Sequence, residues 1–100
     1  MTIPDLTARI QDRDGVAVVV YTKNNCSQCD LTKAKLDREG VLYTAVNVEE
    51  DPAAFRYVTE VLGRRQMPTV IASTIDGDVV WSGLQPDMIR EHITHRADAA

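Results

Sequence analysis

The chain has 100 residues, of which 44% are hydrophobic, and a formal net charge of −4. That length suffices for one compact domain with a single core and no structural cross-links. The acidic balance, without a clustered basic stretch, argues against nucleic-acid binding, and no run approaches the roughly 20 apolar residues of a membrane span.

Residues 1–15 read as a leader. Pro4 suits a first helical turn, and Ile3, Leu6 and Ile10 fall three and then four apart, which predicts a short amphipathic helix ended by Gly15. No secretory signal is expected, because the short apolar run Val16 to Val20 follows Asp12 and Asp14 rather than basic residues. A cytoplasmic, monomeric protein is the resulting expectation, with residues 16–97 as its one domain.

Val16 to Thr22 is β-branched and apolar without alternation, the pattern of a strand covered on both faces. A helix is predicted from Ser27 to Arg38 with Gly40 as its stop, its inner side carrying Cys29, Thr32 and Leu36. Val41 to Val48 reads as a second strand. Asp51 then caps a helix with Pro52 in its first position, and Ala54, Val58, Val61 and Leu62 give it an apolar stripe. Two short strands, Pro68 to Ser73 and Asp78 to Trp81, flank Asp76-Gly77, a hairpin signal. A last helix from Pro86 to His95 turns Ile89 and Ile93 inward. The order β-α-β-α-β-β-α implies an α/β fold, a small mixed sheet with helices on both faces.

The chemistry is concentrated in "YTKNNCSQCD", Tyr21 to Asp30, which holds the only two cysteines. In a reducing compartment a lone CxxC pair is catalytic or metal-binding rather than a permanent cross-link. Cys26 falls where a buried strand meets a helix start, so unpaired amide N–H groups and the helix dipole favour a thiolate there; Lys23 can add positive field. A thiol of pKa about 8.5 is about 3% ionised at pH 7, one near 7 about half ionised. Part of that gain is offset, since a less basic thiolate is a poorer nucleophile. Cys29, one turn further in, is placed to resolve a mixed disulfide. The competing reading is a zinc or iron–sulfur binding module. His92 and His95 could complete a Cys2His2 set, but HxxH is tighter than the usual spacing, and the cysteines lie some 60 residues away. Pro68, opening the third strand, is compatible with a trans or a cis bond.

Taken together, "VYTKNNCSQC", "QMPTV" and "WSGLQPD" resemble the NrdH-redoxins, small glutaredoxin-like proteins of the thioredoxin superfamily, over about Val18 to Ile93. The resemblance implies a thioredoxin/glutaredoxin-like fold with a four-stranded mixed sheet, extended here by the extra N-terminal helix. It implies Cys26 as nucleophile, Cys29 as resolving thiol, and Lys23 beside the site. It further implies a cis Met67-Pro68 bond facing the cysteines, a backbone at Met67, Pro68 and Thr69 that pairs with a substrate strand, and Trp81, Ser82 and Gly83 as a loop bordering the site. Family members carry electrons to the large subunit of a class Ib ribonucleotide reductase and take them from thioredoxin reductase and NADPH, with no cofactor bound. A glutathione-coupled glutaredoxin is the alternative within the same chemistry. The segments that family resemblance associates with glutathione, a CPYC site and a Gly-Gly-Cys-type turn, read Cys26-Ser27-Gln28-Cys29 and Trp81-Ser82-Gly83 here. The family commonly carries Phe-Arg where Leu84-Gln85 stand, and Arg64 and Arg65 are candidates to replace that charge.

Overall fold

The computed structural model describes residues 16–75 and 77–94; the helix expected in the leader, His95 and the domain boundary at residue 97 lie outside them. The chain runs β1 (Ala17–Thr22), α1 (Ser27–Arg38), β2 (Thr44–Asn47), α2 (Pro52–Arg56, continued by a wider π-type turn over Tyr57–Val61), β3 (Thr69–Thr74), β4 (Gly77–Ser82) and α3 (Pro86–Ile89, continued similarly over Arg90–Thr94). The strands form one sheet in the order β2-β1-β3-β4. β1 pairs in parallel with β2 and antiparallel with β3, and β3 and β4 form an antiparallel hairpin. This is the four-stranded mixed sheet expected.

β1 is central, which explains its unbroken apolar run. Val18 and Val20 face one side and meet Ala72 and Val70 across the ladder. On that side α1 and α3 supply Leu36, Ile89 and Ile93, and β4 supplies Trp81. On the other side Tyr21 packs with Ala54 and Val58 of α2 and Leu62 just after it, together with Cys29, Val48 and Met67. At about 1.5–3 kcal/mol per buried large aliphatic side chain, the first cluster, with Leu36, Ile89 and Ile93 at 0% exposure, is the main source of stability.

Most strand ends shift by one residue from expectation, and two shifts have local reasons. The second strand begins at Thr44, not Val41, because residues 40 and 41 finish α1. Gly40 adopts φ +73°, its N–H donates to Asp37 O at 3.1 Å, and the Val41 N–H donates to Leu36 O at 2.9 Å. These are the paired bonds of a Schellman stop, and Val41 and Leu36 make its hydrophobic contact in the core. The hairpin closes one residue early, since Gly77 already pairs with Thr74; Asp76 lies outside the described residues.

α2 departs further. Asp51 caps it by accepting the Ala54 N–H at 3.1 Å, as expected, but Val61 is 70% exposed instead of buried. The Leu62 N–H reaches back five residues to Tyr57 O at 3.0 Å, so each turn holds more than 3.6 residues and the i+7 position rotates off the inner face. The Thr59 hydroxyl donates to Phe55 O at 2.8 Å within the same stretch, a back-bond that bends helices.

Candidate active site

Cys26 is the cap of α1. Its backbone is extended (φ −126°, ψ 99°), and its sulfur accepts the Cys29 N–H at 3.1 Å. A thiolate or sulfur in that position takes up one of the donors a helix start leaves unpaired. The preceding residue, Asn25, has φ +52°, a left-handed conformation that asparagine tolerates better than most side chains, within the short loop that leads from β1 into α1. Asn24 is held from β2: Asn47 Nδ2 donates to Asn24 Oδ1 at 2.9 Å, and the Asn24 N–H donates to Glu49 Oε1 at 3.2 Å.

Cys26 and Cys29 are joined as a disulfide with Cα atoms 5.2 Å apart. Their surroundings differ. Cys26 is part-exposed, whereas Cys29 is 1% exposed among Val48, Val58 and Met67. A partner sulfur can approach Cys26 but not Cys29.

Met67-Pro68 is a cis peptide. The Met67 carbonyl oxygen lies 3.7 Å from Cys26 Sγ, so the backbone before β3 faces the redox pair. Thr69 is fully buried; its hydroxyl donates to Gln66 O at 2.8 Å and shares a 3.0 Å hydrogen bond with the Ser82 hydroxyl. Gly83, with φ +83°, donates its N–H to Pro68 O at 2.8 Å. Pro68, Thr69, Ser82 and Gly83 thus form one hydrogen-bonded corner beside Met67.

Trp81 is 2% exposed within the α1/α3 core, its ring 6.2 Å from that of His92. Strand alternation turns it, with its partner Val70, to the face opposite the cysteine cluster. Lys23 is exposed in the β1–α1 loop. Arg64, a candidate replacement cation, donates from Nη2 to Val80 O on the edge strand at 3.2 Å; Arg65 is exposed. His92 Nε2 lies 3.6 Å from a Glu91 carboxylate oxygen, and among the described residues no three His, Cys, Asp or Glu side chains converge on one point.

Three side chains escaped the sequence reading. Tyr21 packs against the cysteine cluster with its ring 6.2 Å from Tyr57; burial above all, then Tyr57 and Asp51, raises its phenol pKa above the ordinary value. Gln28, between the cysteines, and Gln66 both reach the backbone of Gly83. Their partners lie on other segments of the chain, and local spacing carries no signal for such contacts.

A strand-to-helix dithiol facing a cis-proline is the working part of a thiol–disulfide exchange protein, and the glutaredoxin family model matches residues 18–80. The chain belongs to the glutaredoxin family, among its NrdH-type members. It is 42% identical over 86 residues to the glutaredoxin-like protein NrdH of Salmonella typhimurium, an alignment covering 84% of this chain and all of that one. With the Escherichia coli NrdH it shares 40% identity over 72 residues, 72% of this chain and 83% of the other. The solved structure of the Escherichia coli NrdH-redoxin superposes with a TM-score of 0.67 at 39% identity, covering 75% of this chain and 92% of that one. Like its relatives, the chain is a thiol–disulfide oxidoreductase. Among the described residues no helix is long and apolar enough to cross a membrane.

Proposed function

We propose that this redoxin reduces protein disulfides as a cytoplasmic, monomeric electron donor. Its first target would be the large subunit of a class Ib ribonucleotide reductase, and thioredoxin reductase would recharge it with electrons from NADPH. The observation that carries the reading is the unequal exposure of Cys26 and Cys29 across one disulfide, with the Met67 carbonyl beside the accessible sulfur. The solved NrdH-redoxin of Escherichia coli is described as having a thioredoxin-like activity profile, which supports recycling by thioredoxin reductase over glutathione.

In the reduced protein, the Cys26 thiolate attacks one sulfur of the target disulfide. A Cys26–target bond forms, the target S–S bond breaks, and the released thiolate takes a proton. Cys29, deprotonated, then attacks Cys26 Sγ; the mixed disulfide breaks and the second target sulfur leaves as a thiol after protonation. Two electrons have passed to the target, and the Cys26–Cys29 disulfide of the structure is the oxidised product. Lys23 would add positive field near the attacking sulfur. The backbone of Met67, Pro68 and Thr69 would align an extended target segment, with Ser82 and Gly83 bracing that backbone. No bound cofactor takes part; NADPH acts only through the reductase.

The test is NADPH consumption by the oxidised protein with insulin as acceptor, with thioredoxin reductase in one arm and glutathione with glutathione reductase in the other. Turnover in the first arm alone is expected. Turnover confined to the glutathione arm would replace this reading with a glutathione-coupled glutaredoxin, and inactivity in both would return attention to metal binding by the cysteines.

A further inference from the structure

Gln28 makes a contact that dithiol exchange leaves unexplained. It stands in the first turn of α1, exposed, yet its Oε1 accepts the N–H of Leu84, 56 residues away, at 3.2 Å. The same oxygen lies 3.4 Å from the point where Gly83 would carry a Cβ, and Gln66 Nε2 lies 3.1 Å from that point. Two carboxamides therefore close over the Gly83 backbone, whose N–H is already bonded to Pro68 O. The turn after β4 is held on one side by the cis-proline segment and on the other by the residue between the two cysteines.

We infer that Gln28 is a positioning and specificity-determining residue: its carboxamide holds the Gly83-Leu84 turn against the redox site, where an extended segment of a target protein would lie. Gln28, Gln66 and Gln85 surround that turn with amide groups, and Arg64 is engaged with the carbonyl of Val80. Such amide groups offer donors and acceptors suited to a peptide backbone. Leu84 follows the end of β4, so its amide has no ladder partner, and the Gln28 oxygen supplies the bond that the sheet does not.

The inference rests on the reading of the chain as a protein-disulfide reductant. Its test compares second-order rate constants of the reduced protein with insulin and with dithiodiethanol, a small neutral disulfide, for the wild type, Gln28→Ala and Gln28→Glu. Hydrogen exchange of the Leu84 amide is followed alongside. Loss of one neutral hydrogen bond is worth about fivefold, so Gln28→Ala should reduce the insulin rate by about that factor. It should leave the dithiodiethanol rate within about twofold and speed exchange at Leu84. Gln28→Glu keeps an acceptor and should restore the protection of Leu84 and the ratio of the two rates, while its charge beside the Cys26 thiolate lowers both rates together. In Gln28→Ala, equal losses on both substrates or an unchanged ratio would overturn the assignment while leaving the protein-disulfide reading intact. A wild type that reduces dithiodiethanol but not insulin would overturn that reading, and the assignment with it.

Discussion

The Gly83 N–H donates to the Pro68 carbonyl at 2.8 Å, extending the pairing of β3 and β4 one step past Thr69 and Ser82 to the residue beside the redox pair. The bond requires Gly83 at φ +83°, where a Cβ would also stand 3.1 Å from Gln66 Nε2 and 3.4 Å from Gln28 Oε1.

Gly83→Ala is therefore expected to destabilise the protein. The two carboxamides can swing aside, so the backbone conformation sets most of the cost, about 1–2 kcal/mol. Urea denaturation should show a lower midpoint at unchanged slope. An unaltered midpoint would mean that the turn relaxes freely and does not brace Pro68.

The two cysteines should fail in different ways. Cys26→Ser is expected to reduce disulfide turnover to the uncatalysed background. Cys29→Ser should still attack, then stall as a mixed disulfide that mass spectrometry detects as a covalent adduct with the target. Adduct formation by Cys26→Ser instead would reverse the assigned roles.

Thr32 provides a stability test away from the chemistry. It is fully buried on the inner face of α1, and its hydroxyl has no hydrogen-bond partner among the described residues. An unpaired buried hydroxyl costs about 1–3 kcal/mol, and valine has nearly the same shape. Thr32→Val should leave stability equal or higher, by up to about 1 kcal/mol; a clear loss would reveal a partner for the hydroxyl.

Tyr21 predicts behaviour at alkaline pH. Burial, then the neighbouring Tyr57 and Asp51, raises its pKa above the ordinary 10.0, so the folded state holds the phenol proton more tightly than the unfolded chain. The corresponding stability is fully present below pH 10 and is lost as pH rises from there through the folded pKa. Urea midpoints should fall over that window, and less so in Tyr21→Phe. Burial and Asp37 raise the Tyr43 pKa as well, so phenolate absorbance should show two late-titrating tyrosines in the wild type and one in the variant. Identical pH profiles would remove Tyr21 as the cause.

The elements most legible in the sequence are those whose signals are local. β1 is an unalternating run because it is central, and Cys29, Thr32 and Leu36 share a buried face because helical spacing puts them there. The Asp51-Pro52 start is a cap, and it forms as read. At Val61 of α2 the helical pattern fails, because a π-type turn changes the period on which it depends. Val41 reads as strand because its apolar β-branched side chain suits a strand as well as the hydrophobic contact of a helix stop.

By itself the sequence determined the CxxC pair, the strand-to-helix junction that presents it and the order of elements, since each depends on a few consecutive residues or one repeated spacing; that Pro68 faces the pair is implied there only by the family resemblance. The tertiary structure alone decided that Trp81 belongs to the core, that Arg64 is tied to Val80, and that Gln28 reaches Leu84. Those contacts join segments far apart in the chain, and their partners are chosen by sheet order, strand register and the path of loops. No local pattern of residue types records that geometry.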